Sequence, residues 1–387
     1  MSKLNMSKMS IDKWDDLECD DRILRGIYSY GFETPSSIQK QAIKPMSTGN
    51  DIIAQAQSGT GKTGCFIIGS LSRINFEEQT TQVLIISPTR ELSIQTYNVF
   101  KNIGNYIDNL NIQLLIGGTC KDLDIKNLRE NNPHVLIGCA GRITDMLNRS
   151  LINTNTLKIM ILDEADELLS YGFKEQIYDI FQFMPLNIQV ALFSATMPSE
   201  LEILTTKFMR NPIKILVKTN ELTLEGIKQY YVGLETDDQK YETLKDIYEL
   251  ISVSQSIIYC NTVKRVQYLY DQMKNDQFPV CQIHSGMDKQ ERTRNYKEFK
   301  LGKYRVLISS DVTARGIDIQ QVSTVINYDV TKDVHTYLHR IGRSGRWGRK
   351  GISINFVTKR DASVLKQIEK HYDTQIEELP MSWNENY

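Results

Sequence analysis

Short unbroken apolar runs punctuate the first half of the chain: Ile52-Ile53-Ala54, Val83-Leu84-Ile85-Ile86, Val135-Leu136-Ile137, Ile159-Met160-Ile161-Leu162 and Val190-Ala191-Leu192-Phe193. Each is rich in β-formers and gives way to small or polar residues. Amphipathic segments such as Glu91–Ile103 lie between them. Unbroken apolar strands alternating with helices predict a parallel sheet covered on both faces. The texture returns in the second half, with Ile257-Ile258-Tyr259, Val306-Leu307-Ile308, Val325-Ile326 and the run 352–357. Between the two halves the stretch 211–228 changes character, which places a division near residue 220. The expected organisation is a flexible N-terminal tail over 1–13, one domain over 14–216, a linker over 217–227 and a second domain over 228–387. No short-period repeat or low-complexity tract interrupts it.

Composition agrees with two domains. A chain of 387 residues, 41% of them hydrophobic, exceeds one core and can fill two. Forty-six Lys plus Arg oppose 47 Asp plus Glu, for a net charge of −1. Bulk cationic charge therefore holds no polyanion, although a local basic groove is compatible with such a balance. The six cysteines, at 19, 65, 120, 139, 260 and 281, form no C-x-x-C pair and no Cys/His cluster. That excludes the spacing of a zinc site or a disulfide framework. No apolar stretch is long enough for a membrane span, and the start has no signal-peptide pattern, so a soluble intracellular protein is expected.

Ligands of open parallel sheets sit outside the carboxyl ends of the strands, so the residues after each run carry the chemistry. After Ile52–Ala54 comes Ala56-Gln57-Ser58-Gly59-Thr60-Gly61-Lys62-Thr63, then a helical segment. This is a phosphate loop with Ala in place of the first glycine. Ser58, Gly59, Thr60 and Gly61 supply backbone N–H groups around a phosphate, Lys62 reaches the terminal phosphates, and the Thr63 hydroxyl suits Mg²⁺. A glycine-containing turn before a helix is the plainer alternative, but the strand–loop–helix context favours the loop. After Ile159–Leu162 come Asp163-Glu164-Ala165-Asp166. Asp163 at the tip of a buried strand is placed as the second Mg²⁺ anchor, and Glu164 to orient or deprotonate an attacking water. Nucleoside triphosphate hydrolysis with Mg²⁺ is the expected chemistry.

With Asp-Glu-Ala-Asp at 163–166, the chain resembles the DEAD-box RNA helicases. Further signatures of that family follow in order: Gly31-Phe32 with Pro35 and Ile38-Gln39, Pro88-Thr89-Arg90-Glu91-Leu92, Gly117-Gly118, Ser194-Ala195-Thr196, Ala314-Arg315-Gly316-Ile317-Asp318 and His339-Arg340-Ile341-Gly342-Arg343-Ser344-Gly345-Arg346. The resemblance spans about Trp14 to Pro380. Within the family the stretches 24–32 and 348–351, and the short tails, are most similar to the initiation factor 4A group and its nuclear paralogue. It implies two tandem RecA-like domains, each a parallel sheet with helices on both faces, joined by a short linker. It implies an RNA-dependent ATPase in which Gln39 reads the adenine edge, Phe32 stacks on the base, and Gly316 and Asp318 hold the ribose side of ATP. Trp14 stands where relatives carry a Phe that supports this pocket. Arg343 and Arg346 act as arginine fingers on the γ-phosphate, while Ser194, Thr196, Arg315, His339 and Arg340 couple hydrolysis to interdomain closure, His339 and Arg340 through contact with the acidic motif of the first domain.

The resemblance also implies RNA held through sugar and phosphate, without sequence specificity, by Thr89, Arg90, Gly117, Gly118, Gly141, Arg142, Asn261, Thr262, Arg292 and Ser310. Without the family, Gly117-Gly118 reads as a turn and Thr262 as a helix cap. Three departures fall on this face: Cys139-Ala140 replaces the usual Thr-Pro before Gly141-Arg142, Lys289 replaces the Gln of Gln-x-x-Arg, and Ser310 replaces Thr. Altered RNA affinity is expected before any loss of ATPase. The leading reading is an ATP-dependent RNA helicase for single-stranded or short-duplex RNA, initiation factor 4A-like in translation. The alternative is an RNA clamp with little turnover inside an RNA-processing complex. A DNA translocase is disfavoured by the Gln39 and Ala314–Asp318 elements. A helical scaffold or adaptor protein, a monomeric state and cytoplasmic residence are expected, with nuclear residence left open and no membrane association.

Overall fold

The computed structural model describes residues 10–56, 59–169, 173–216, 226–250, 255–313, 319, 321–344 and 350–380. It divides the chain into two units, Met1–Val217 and Lys218–Tyr387. The first contains strands β1 (Ile52–Gln55), β2 (Val83–Ile86), β3 (Ile112–Leu115), β4 (Val135–Gly138), β5 (Ile159–Asp163), β6 (Gln189–Ser194) and β7 (Ile213–Leu216). All pair in parallel, in the spatial order β3-β4-β2-β5-β6-β1-β7.

The unbroken apolar runs serve two cores at once, because successive side chains on a strand point to opposite faces. Ile52, Ala54, Val83, Ile85, Ile159, Ile161 and Phe193 join one cluster. Their neighbours Ile53, Leu84, Ile86, Met160, Leu162 and Leu192 join the other. Each fully buried aliphatic side chain contributes about 1.5–3 kcal/mol, so a one-residue slip would exchange both cores and is strongly disfavoured.

The second unit contains β8 (Ile227–Leu234), β9 (Gln255–Tyr259), β10 (Val280–Ile283), β11 (Val306–Ser309), β12 (Val322–Asn327), β13 (Gly351–Thr358) and β14 (Glu377–Glu378). Their order is β10-β11-β9-β12-β13-β8-β14, again parallel throughout. Counted from the first strand of each unit, both sheets read 3-4-2-5-6-1-7. The fold is thus a tandem of two parallel α/β units with one topology.

Three elements differ from the sequence expectation. Strands β3 and β10 lie at sheet edges, and β3 alternates buried with half-buried residues, so no unbroken apolar run announces it. The 211–228 stretch contributes β7 and the start of β8 instead of serving wholly as a linker. Asp51 explains the first: its carboxylate accepts from the amides of Val190 (2.9 Å) and Arg210 (2.7 Å), and its carbonyl accepts from Ile213 at 2.8 Å. Finally, Ile11, inside the expected tail, is 1% exposed, and its amide donates to the Lys40 carbonyl at 3.0 Å.

Candidate functional site

The order β5-β6-β1 brings the phosphate loop and the acidic tetrapeptide to neighbouring strand ends, with β6 between them. Gln55 is in register with Ser194, and Asp163 with Phe193. The Ala56 amide donates to the Ser194 carbonyl at 3.1 Å, tying the root of the loop to the Ser-Ala-Thr segment. Gly61 sits at φ +97° immediately before the helix Lys62–Leu71. A side chain there would be strained, and its Cβ would lie 2.7 Å from the Gln39 amide nitrogen. Thr60 and Thr63 flank this glycine and lysine. Gly59, at φ +85°, turns the chain just ahead of them.

Gln39, 3% exposed, clasps the loop from behind. Its Nε2 donates to the Gly61 carbonyl at 3.1 Å while its Oε1 accepts from the Ser36 amide at 2.8 Å. In this form the amide expected at adenine shapes the phosphate loop. Phe32 packs on the same helix, where a Cβ on Gly64 would meet its ring at 2.7 Å. Trp14 stacks on Phe32 with centroids 6.2 Å apart, so it does back the aromatic surface. Lys62 is 6% exposed, and its ammonium donates to the Ala56 carbonyl at 2.8 Å.

Glu164 has φ +51°, a left-handed conformation unusual for a residue with a side chain. The turn carries its amide back onto the Asp163 carboxylate at 3.0 Å. Burial pushes the Asp163 carboxyl up to about 7, reinforced by Glu164 and opposed by the Lys62 ammonium. The Thr196 hydroxyl donates to Asp166 at 2.5 Å. Two hard oxygen donors, the Thr63 hydroxyl and a buried carboxylate whose ionised form lacks sufficient compensating charge, form a donor set that fits Mg²⁺.

The residues expected at RNA gather at the exits of the second, third and fourth strands of each unit. In the first unit Thr89 caps the helix Arg90–Ile103, its hydroxyl accepting from the Leu92 amide at 3.3 Å. Arg90 opens that helix with a buried Nη1 that has no hydrogen-bond partner. Gly117 and Gly118 follow β3, and Gly118 has φ +90°. Gly141 and Arg142 open the helix Ala140–Asn148 after β4. The Arg142 guanidinium is 10% exposed, ion-paired with Asp124, and donates to the Thr119 carbonyl at 3.2 Å. In this form it braces the Gly117-Gly118 turn from within. At the altered Cys139, the thiol lies 3.5 Å from the Ser93 hydroxyl.

In the second unit Thr262 caps the helix Val263–Asn275, accepting from the Arg265 amide at 3.2 Å. It occupies the position Thr89 holds after the second strand of its own sheet. Arg292 lies in the helix Lys289–Lys300 after β10, and Ser310 directly follows β11. Asn261 accepts from Arg340 at 2.8 Å and donates to the Val330 carbonyl at 2.9 Å. Arg340 is 0% exposed and also donates to Asp311 (2.6 Å), the Asp329 carbonyl (2.8 Å) and Asn327 (3.3 Å). Its guanidinium lies 5.3 Å from the Tyr259 ring centroid. Within its own unit Arg340 thus holds Asn261, Asp311, Asn327 and the Asp329 carbonyl together. Arg343 is 2% exposed, with Nε donating to the His339 carbonyl at 3.1 Å, and His339 is 1% exposed.

Ser58, Arg315, Gly316, Asp318 and Arg346 lie outside the described residues. Ser194, 0% exposed, accepts from the Thr196 amide at 3.3 Å. Sequence reasoning missed Asp124, Asp311, Asn327 and Asp329, which position Arg142 and Arg340. An acidic residue directly after Ser310 was a signal for Asp311; the others pair over distances that no local pattern reports.

Two family models match the chain: "DEAD/DEAH box helicase" over residues 36–204 and "Helicase conserved C-terminal domain" over residues 239–348. Eukaryotic initiation factor 4A of Caenorhabditis elegans is 52% identical over 372 residues, covering 96% of this chain and 92% of that protein. The ATP-dependent RNA helicase eIF4A of Saccharomyces cerevisiae is 51% identical over 95% of this chain and 92% of its own length. Among solved structures, S. cerevisiae Dbp5 bound to RNA and ADP BeF3 has a TM-score of 0.90, with 34% identity and 97% of each chain covered. Among the described residues no helix is long and apolar enough to cross a membrane.

Proposed function

The chain belongs to the DEAD-box helicases, and from that premise we propose that it is an RNA-stimulated ATPase whose work is initiation factor 4A-like unwinding of short RNA duplexes. Two eIF4A relatives about 50% identical over nearly the whole chain support the ATP-dependent RNA helicase activity and the role in translation initiation. The observation that carries the mechanism is the meeting of Lys62, Asp163, Glu164 and the Ser194–Thr196 segment at adjacent strand ends.

In the mechanism, Gly59, Thr60, Gly61 and Lys62, with Ser58, bind the phosphates, and Gln39 and Phe32 take the adenine. Thr63 and Asp163 would hold Mg²⁺, which would supply charge screening for the transferred phosphoryl group. Asp163 must release its proton to do so. Glu164 orients the attacking water and accepts its proton, held in place by the turn at φ +51°. Thr196, bonded to Asp166, is placed to sense the state of that cluster. Arg343 and Arg346 serve as arginine fingers, Gly316 and Asp318 hold the ribose side, and Arg315 and His339 couple hydrolysis to closure. Arg340 couples hydrolysis to closure with them and, within its own unit, holds Asn261.

RNA is bound without sequence specificity through Thr89, Arg90, Gly117, Gly118, Gly141, Asn261, Thr262, Arg292 and Ser310, with Arg142 bracing the turn. Residues 14–216 and 228–387 are the working domains, the intervening 217–227 the connection, and 1–13 a tail anchored at Ile11. The protein acts in the cytoplasm as a monomer, with a helical scaffold protein as its partner.

Steady-state ATP hydrolysis with and without single-stranded RNA tests the reading. Strong stimulation by RNA and not by DNA, reduced at least about 100-fold in Glu164→Gln, is expected for loss of a general base. Hydrolysis indifferent to RNA, or to that substitution, would refute it.

A further inference from the structure

The helix Lys289–Lys300 begins beside the exit of edge strand β10 and carries more cationic charge than the RNA reading above uses. Over residues 288–305, seven Lys and Arg side chains stand against three acidic ones, in a chain whose net charge is −1. Their distribution is directional. Helical spacing aligns Lys289, Thr293, Lys297 and Lys300 in one row, whereas Arg294 falls on the other flank with Glu291 and Glu298, three and four residues from them. Asn295 and Phe299 turn inward, and Lys289, Arg294, Lys297 and Lys300 are exposed. Glu298 is engaged by Lys303 at 2.8 Å. Among the described residues none of Lys289, Arg294, Lys297 and Lys300 forms an ion pair with a carboxylate. A row of unpaired cations on one flank of a helix is a site for a polyanion, since mutual repulsion disfavours it otherwise.

We propose that this row is an accessory RNA-backbone track: RNA longer than the core site leaves it past Arg292 and runs along the helix, its phosphates neutralised by Lys289, Lys297 and Lys300. Three features favour RNA over an acidic protein surface. The row starts one helical turn from Arg292, it begins where a neutral Gln is expected and Lys289 stands instead, and its length of about 18 Å suits an extended strand. The inference rests on the RNA reading of Arg292 above.

The test uses the full chain, a short single-stranded RNA that fills only the core site, and the same RNA extended at its 5′ or 3′ end. Extension at one of the two ends is expected to strengthen binding and steepen its salt dependence. In the double variant Lys297→Gln, Lys300→Gln, the extended RNA loses about five-fold in affinity. The slope of log K against log salt falls by about 1.4, as two phosphate contacts on a single strand require. Binding of the short RNA, RNA-free ATP hydrolysis and the melting temperature stay as they were.

Equal loss for short and extended RNA would place the row inside the core site and overturn the proposal. So would unchanged binding of extended RNA, which would assign the row to an acidic protein partner. Failure of the short RNA to bind the unaltered protein would instead defeat the core reading, and that result is separable from both.

Discussion

Asp163 shows how one residue's environment sets its chemistry. An ordinary aspartate is ionised at neutral pH, but burial and Glu164 hold this one near 7 despite Lys62. Between the unfolded value near 3.8 and the folded value, the native protein binds one proton more than the unfolded chain. Its stability therefore falls as pH rises through that window. Removing the charge should reverse the penalty. Asp163→Asn is expected to raise the melting temperature of the nucleotide-free protein at pH 8, by an amount that shrinks toward pH 5, while abolishing ATP hydrolysis. A melting temperature lowered equally at both pH values would contradict this. The residues Asp163, Glu164 and Lys62 were legible in the sequence because each belongs to a contiguous motif. The pKa was not, since it depends on a lysine about a hundred residues away and on the depth of β5.

At the scale of elements, the paired threonines Thr89 and Thr262 each end a strand-to-helix turn and cap the helix that follows. A lost cap costs about 1 kcal/mol. Thr89→Ala and Thr262→Ala should each lower stability by about that amount in urea unfolding, and Thr→Ser should restore it. If the same hydroxyls also meet RNA, serine restores affinity together with stability, and a variant whose stability recovers without its affinity would separate the roles. The plain reading of Thr262 as a cap was correct as far as it went. The helices and central strands were read from period and apolar runs, whereas the edge strands β3 and β10 and the first turn of β8 were not. At the edge strand β3 buried and half-buried residues alternate, so its pattern merges with that of a loop, and β10 is four residues interrupted by the half-buried Gln282.

At the scale of the molecule, among the described residues each unit has its own pair of cores. Residues 1–217 and 218–387 expressed separately should each unfold cooperatively with native helix and strand content by circular dichroism. The first fragment alone should not hydrolyse ATP at the RNA-stimulated rate, because it lacks Arg343 and Arg346. Fragments that aggregate or unfold without cooperativity would show that the units depend on one another for folding.

What the sequence determined by itself was the family: a phosphate-loop string, the Asp163–Asp166 string and further motifs in order, all of them local. It also determined the layered α/β character, because apolar runs and helical periods are local too. Tertiary structure decided which strand ends adjoin, that both sheets share the order 3-4-2-5-6-1-7, and that Gln39 clasps Gly61. It decided as well that Arg142 pairs with Asp124 and that Arg340 is buried with Asp311 against its guanidinium. An arginine's motif fixes its charge and position in the chain. Whether that charge faces a ligand or a carboxylate from a distant segment is settled only when burial demands that every donor find a partner.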